Sequence, residues 1–250
     1  MEMRVLLLGG TTEATALANM LHKAGVDAIF SYAGRTLNPL AQSLPTRKGG
    51  FGGSAGLAHY IVDHGITHVI DATHPFAAGM SHNVVTMFRK FKIPILRVER
   101  PAWKPQKGDN WTMVPDMEGL PGALPDTPAR VFLAIGKQRL DLFAAKPQHH
   151  YLLRLVDAPE GDLPLPDAEV VVARPPFTVA AETALMADHR ITHLVCKNGG
   201  GRGAEAKLVA ARHLGIRVIM ADRPVLPKAD IAATAEEAMA WLAHSADRGV

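Results

Sequence analysis

The residues best equipped for chemistry in this 250-residue chain lie in Asp71-Ala72-Thr73-His74-Pro75-Phe76-Ala77, where an acid, a hydroxyl and an imidazole fall within four positions. A free imidazole changes charge near neutrality, so His74 is a candidate proton donor, with Asp71 close enough in sequence to orient it. The same residues, Thr73 in particular, also suit ribose hydroxyls or the capping of a loop. A second cluster, Gly9-Gly10-Thr11-Thr12-Glu13, follows the apolar run Val5–Leu8. Glycines there turn the chain sharply, and a helix starting at the threonines aims its N–H groups and dipole at one point, an arrangement fit for phosphate or pyrophosphate. The full G-x-G-x-x-G pattern is missing, so a plain βα turn stays open as a reading.

Three further stretches carry polar or flexible residues in suggestive positions. Gly34-Arg35-Thr36 closes the second predicted strand, where a dinucleotide fold meets the adenosine ribose; Arg35 in place of an acid favours a 2′-phosphate, hence NADP(H) over NAD(H). Gly49-Gly50-Phe51-Gly52-Gly53 can approach a flat ligand closely and present a ring to it, so Gly50, Phe51 and Gly52 join the candidate cofactor residues. Lys137, Arg154, Arg174, Lys197 and Arg202 sit at strand ends in the second half, as the carboxylates of a polyacid ligand would require. The loop Lys197-Asn198-Gly199-Gly200-Gly201-Arg202-Gly203 is the most pointed of these, joining cations, an amide and a helix start.

Ser81 and His82 follow Asp71, but a Ser-His-Asp hydrolase would need a G-x-S-x-G elbow, which is absent. The twelve histidines are scattered, and neither H-E-x-x-H nor a cysteine pair occurs, so no metal site is expected. The single cysteine, Cys196, lies in an apolar run and is read as core. A net charge of +3 without a basic run gives no reason to propose nucleic-acid binding, and no apolar run reaches the ~18 residues of a membrane span. The start Met1-Glu2-Met3-Arg4 leads straight into a strand without a signal-peptide pattern, and a cytoplasmic protein is expected.

These residues are positioned by alternating strands and helices. Val5–Leu8, Ala28–Ala33, Val69–Ala72 and Ile95–Val98 read as strands. Between them, helical spacings run through Ala14, Leu17, Ala18 and Leu21, through Leu57, Ala58 and Ile61 with Ser54 as cap, and through Met80, Val84, Met87, Phe88 and Phe91. Pro101–Asp109 has no period and reads as a linker. Beyond it, Arg130–Ile135, Tyr151–Val156, Val170–Ala173, Leu194–Cys196 and Val218–Met220 read as strands, with one helix through Ala204, Leu208 and Ala211. A last amphipathic helix opens with capping-box spacing at Thr234 and Glu237. The expectation is an α/β protein of two Rossmann-like lobes with mostly parallel sheets, 1–103 and 104–250, the first for cofactor, the second for substrate, and a ligand cleft between them.

Nearly end to end the sequence resembles the precorrin-6A reductases of cobalamin biosynthesis. The resemblance rests on Leu8-Gly9-Gly10-Thr11-Thr12-Glu13, Gly50-Phe51-Gly52-Gly53, Asp71-Ala72-Thr73-His74-Pro75-Phe76-Ala77 and Leu96-Arg97-Val98-Glu99-Arg100-Pro101. It continues through Gly136-Lys137, Lys197-Asn198-Gly199-Gly200, Lys207 and Arg223-Pro224. It departs from the family pattern at Pro175-Pro176-Phe177-Thr178, where Gly-Pro-Phe-Ser is usual, and at Gly199, where a serine is common. What it implies is NADPH-dependent reduction of a tetrapyrrole, with hydride to C19 and a proton to C18, giving precorrin-6B. On this reading Lys137, Lys197, Asn198 and Arg202 meet the substrate, and neighbouring enzymes of the pathway are handover partners. The competing readings are a nucleotide-sensing module without turnover and a nucleotide-sugar transferase.

Overall fold

The computed structural model describes residues 2–34, 39–91 and 93–247, and the chain divides into two compact units, Met1–Pro101 with Val225–Val250, and Ala102–Pro224. The first unit runs β1 (Arg4–Leu8), α1 (Thr12–Lys23), β2 (Asp27–Tyr32), β3 (Thr46–Lys48), α2 (Gly53–Asp63), β4 (His68–Asp71), α3 (Ala78–Phe91) and β5 (Ile95–Val98). The second contains β6 (Trp111–Val114), β7 (Arg130–Ala134), β8 (His150–Leu155), β9 (Ala168–Val172), α4 (Val179–Asp188), β10 (His193–Lys197), α5 (Ala206–Leu214) and β11 (Arg217–Ala221). The chain then returns to the first unit as β12 (Asp230–Ala232) and α6 (Ala235–Asp247).

Each unit is built on a six-stranded sheet, ordered β12-β5-β4-β1-β2-β3 in the first and β6-β11-β10-β7-β8-β9 in the second, with every pairing parallel. The expected α/β class is therefore the observed one. A parallel sheet is covered on both faces, which explains why its strands are continuously apolar rather than alternating. In β1, Val5 and Leu7 face one core with Leu17, Phe30, Ile70, Leu96 and Leu242, whereas Leu6 and Leu8 face another with Ile29, Leu57, Ile61 and Val69. Cys196 lies in the core of the second unit, where burial pushes its thiol up to about 11, consistent with a packing residue.

Several elements depart from the sequence reading. The second lobe does not run to residue 250, because β12 pairs with β5 and α6 buries Ala235, Ala238 and Leu242 in the first unit's core. Arg97 helps hold this return: it is 6% exposed and donates from Nη2 to the Pro227 carbonyl at 2.9 Å. At the start of α6 the Thr234 hydroxyl accepts from Glu237 N–H at 3.2 Å, while the Glu237 carboxylate accepts from Ala233 N–H at 2.7 Å, one residue before the expected partner. Ser54 does not cap α2, since Gly52 holds that position with φ +75° and Ser54 lies inside the helix. β3, β6, β12 and α4 escaped detection; β3 is Thr-Arg-Lys, a three-residue edge with no apolar signal at all.

Because α6 carries part of the first unit's core, Leu242→Ala should cost about 2–5 kcal/mol in urea unfolding, the usual range for a buried leucine. A loss below about 0.5 kcal/mol, typical of surface substitutions, would show that the return segment is peripheral.

Candidate functional site

In the first sheet the chain order reverses between β1 and β4, and open parallel sheets bind ligands beyond their carboxyl ends at such a point. A cavity of about 500 Å³ lies there, lined by Gly9 and Gly10 after β1, Tyr32 to Gly34 after β2, Lys48 at the end of β3, Gly50 to Gly53, and Thr73 and His74 after β4. Ala77, Gly79, Met80 and Asn83, together with Pro39, complete the lining. Six of the expected cofactor residues (Gly9, Gly10, Gly50, Phe51, Gly52, Thr73) and His74 are thus brought to one cavity. Arg35 lies outside the described residues.

Thr11, Thr12 and Glu13, also expected at the cofactor, are not in the cavity lining. Thr11 is the N-cap of α1: its hydroxyl accepts from Ala14 N–H at 3.1 Å and donates to the Ala72 carbonyl at 2.8 Å, tying the β1 turn to the β4 turn. The Glu13 carboxylate accepts from Thr12 Oγ1 at 3.1 Å and pairs with Arg100 at 2.7 Å, so its charge is spent on the loop after β5.

Asp71 is 2% exposed, and its carboxylate accepts three hydrogen bonds from the turn after β4 and from α3. Oδ1 accepts from Thr73 N–H at 3.1 Å and Thr73 Oγ1 at 2.6 Å, and Oδ2 accepts from Ser81 Oγ at 2.6 Å. Thr73 gives its hydroxyl proton to Asp71, so toward a ligand that oxygen can only accept. His74 Nδ1 accepts from Phe76 N–H at 3.2 Å. While that bond holds, the proton of the neutral ring sits on Nε2. His74 is oriented by the backbone of its own loop, and Asp71 holds the loop.

Sequence reasoning missed Arg47, which organises the glycine loop. Its Nη1 donates to Ser31 Oγ at 2.7 Å and to the Gly49 carbonyl at 2.9 Å, and Nη2 donates to the Gly50 carbonyl at 3.2 Å. The guanidinium lies 3.9 Å from the Phe51 ring centroid and 5.1 Å from that of Tyr60. Burial lowers its affinity for its proton, an effect opposed by Tyr60. One face of Phe51 is therefore already occupied, and Tyr60 meets its edge at 5.2 Å between centroids. The loop packs tightly enough that a Cβ on Gly56 would fall 1.6 Å from the Phe51 carbonyl oxygen. Gly9, expected to turn the chain, is also constrained by packing: a Cβ there would sit 2.0 Å from Cζ of Phe30.

In the second unit the order reverses between β7 and β10, so the loops carrying Lys137 and Lys197 belong to the same end of the sheet. Lys137 and Arg202 are exposed and Lys197 is half-buried. Asn198, at 3% exposure, serves as a bracket: Oδ1 accepts from Trp103 N–H at 2.9 Å and Nδ2 donates to the Trp103 carbonyl at 3.2 Å. Trp103 Nε1 donates to the Gly201 carbonyl at 3.0 Å, and Arg223 donates to the carbonyls of Asn198 at 2.9 Å and Gly199 at 3.3 Å. Arg154 is not among the outward cations, because it forms a buried ion pair with Glu182 and stacks 3.9 Å from the Phe177 ring centroid.

The model of the family described as precorrin-6x reductase CbiJ/CobK matches residues 4–243. The chain belongs to the precorrin-6x reductase family. A precorrin-6A reductase of Rhodobacter capsulatus is 60% identical over 99% of both chains, and a cobalt-precorrin-6A reductase of Priestia megaterium is 30% identical over 93% of this chain and 95% of its own. A solved structure of CobK precorrin-6A reductase superposes with a TM-score of 0.94 at 60% identity, covering 97% of this chain and 96% of the other. The resemblance read from the sequence and the α/β architecture thus agree with family membership. Among the described residues, no helix is long and apolar enough to cross a membrane.

In this precorrin-6x reductase family member, Gly9→Ala should destabilise the fold by about 1–3 kcal/mol through overpacking against Phe30, before any ligand is considered. Combined with Phe30→Leu, it should cost less than the sum of the two single changes by more than about 0.5 kcal/mol. Additive costs in urea unfolding would show that the added methyl is relieved by moving the turn instead.

Proposed function

We propose that the protein catalyses the NADPH-dependent reduction of precorrin-6A to precorrin-6B in cobalamin biosynthesis, with hydride delivered to C19 and a proton to C18. The observation that carries this reading is the 60% identity over nearly the whole chain to a precorrin-6A reductase. The cobalt-free macrocycle is the favoured substrate, because relatives named for it reach 40–60% identity and those named for the cobalt form 24–30%. A cytoplasmic location belongs to the same proposal.

The first-unit cavity has a size usual for small-molecule sites, and its residues fit a dinucleotide. Gly10 leaves the backbone accessible below the start of α1, where helix polarity favours phosphate, while Gly9 packs behind it against Phe30. Thr73 Oγ1, committed as a donor to Asp71, is suited to accept from a ribose hydroxyl. Gly50, Phe51 and Gly52 give a low wall for a flat ring, and Arg35 remains the candidate from sequence for the 2′-phosphate. Bound NADPH supplies the hydride; the chain supplies binding, orientation and the proton. Lys137, Lys197 and Arg202 are assigned to acetate and propionate arms of the macrocycle, and Asn198 to holding the loop that presents them.

His74 is assigned the proton delivered at C18. The ring lines the cavity, and the form that can deliver the proton is the imidazolium, in which the Phe76 N–H bond to Nδ1 is released; loss of Nε2–H then leaves the neutral ring. Turnover is tested by NADPH absorbance in the presence of precorrin-6A; binding without oxidation would favour a sensing module. His74→Ala should lower kcat by at least ~10²-fold with NADPH affinity nearly unchanged. A loss under tenfold, or one confined to the KM for NADPH, would assign His74 to binding and the proton to solvent.

A further inference from the structure

We infer that Lys48 contributes, beside the Arg35 expected from sequence, to the preference for a 2′-phosphorylated nucleotide, by placing its ammonium at the adenosine end of the first-unit cavity. The inference rests on the reading of that cavity as the dinucleotide site. β3 is only three residues long and pairs in parallel with β2, with Ser31 opposite Arg47 and Tyr32 opposite Lys48. Successive side chains on a strand point to opposite faces. Arg47 turns to the Ser31 hydroxyl and the carbonyls of the glycine loop, and Lys48 lines the cavity with Tyr32, Ala33 and Gly34.

The end of the second strand is where a dinucleotide fold meets the adenosine ribose, and a site for the free 2′-hydroxyl places a carboxylate there. The described lining contains no aspartate or glutamate. The two acids nearest in sequence to its loops are committed elsewhere: Asp71 to Thr73 and Ser81, and Glu13 to Arg100. Lys48 is therefore a cation in a lining without a described counter-charge, set two strands away from the β1 glycines, roughly 10 Å across the sheet. An ammonium there attracts a phosphate dianion and has little to gain from a hydroxyl. Arg47 does not share the task, since its guanidinium is spent on Ser31, two carbonyls and Phe51.

The test is calorimetric titration of the full chain with two fragments, 2′,5′-ADP and 5′-AMP, alongside the KM for NADPH and NADH. The wild type should bind 2′,5′-ADP more tightly. Lys48→Met should weaken 2′,5′-ADP by at least about tenfold, as expected for a charge-assisted contact, and leave 5′-AMP within twofold. Lys48→Arg should recover most of the loss, and thermal melts should coincide, because the side chain is exposed. An equal loss for both fragments, or none for either, would overturn the assignment while leaving the nucleotide site in place. Wild-type binding of both fragments with equal affinity would do the same. A wild type that binds neither fragment would overturn the nucleotide reading of the cavity, and the role of Lys48 with it.

Discussion

A carboxylate buried to 2% exposure must have its oxygens satisfied, and at Asp71 that requirement shapes the loop on which the candidate chemistry sits. Three donors converge on it, from Thr73 N–H, the Thr73 hydroxyl and the Ser81 hydroxyl. Each hydrogen bond to a charged group is worth about 1.5–3 kcal/mol, so the turn after β4 has little freedom to take another shape. Ser81 lies in the first turns of α3, and through it the carboxylate also fixes where that helix begins. Thr11 then joins this turn to the one after β1 by bonding the Ala72 carbonyl. The cavity between the two turns follows from polar groups paired behind it.

The same division of labour recurs in the second unit, with an amide in place of the carboxylate. Asn198 uses both ends of its side chain on the Trp103 backbone, and Arg223 bonds two carbonyls of the same loop. Buried polar groups hold the loop, while Lys197 and Arg202 remain on it at different degrees of exposure. Lys207, which matched the family by sequence, also belongs to the bracket: its ammonium donates to the Ala204 carbonyl at 2.6 Å and lies 4.6 Å from the Trp103 ring centroid. In both units, then, the polar residues within a family motif divide into those left on the loop surface and those whose hydrogen bonds make the loop rigid.

The sequence by itself determined the α/β class, the parallel strands and the positions of the loops at their carboxyl ends. It could do so because a strand covered on both faces must be apolar along its whole length, and because glycines and caps mark where such strands hand over to helices. Val5–Leu8 followed by Gly9–Glu13 is legible on those grounds alone. Tertiary structure decided what periodicity does not encode. The return of β12 and α6 to the first unit depends on the free edge of β5 and the uncovered face of α1, neither of which leaves a trace in local pattern. The role of Asp71 depends on Ser81, ten residues on, being turned toward it by α3. Nothing in the local pattern sets Arg47 and Lys48 apart, and only pairing of β3 with β2 sends one into the glycine loop and the other into the cavity. At Gly9 the atom that excludes a side chain belongs to Phe30, on a neighbouring strand, a constraint that local pattern does not carry. Local spacing fixes which way a side chain points along its own element; what it meets there is set by residues brought in from elsewhere in the chain.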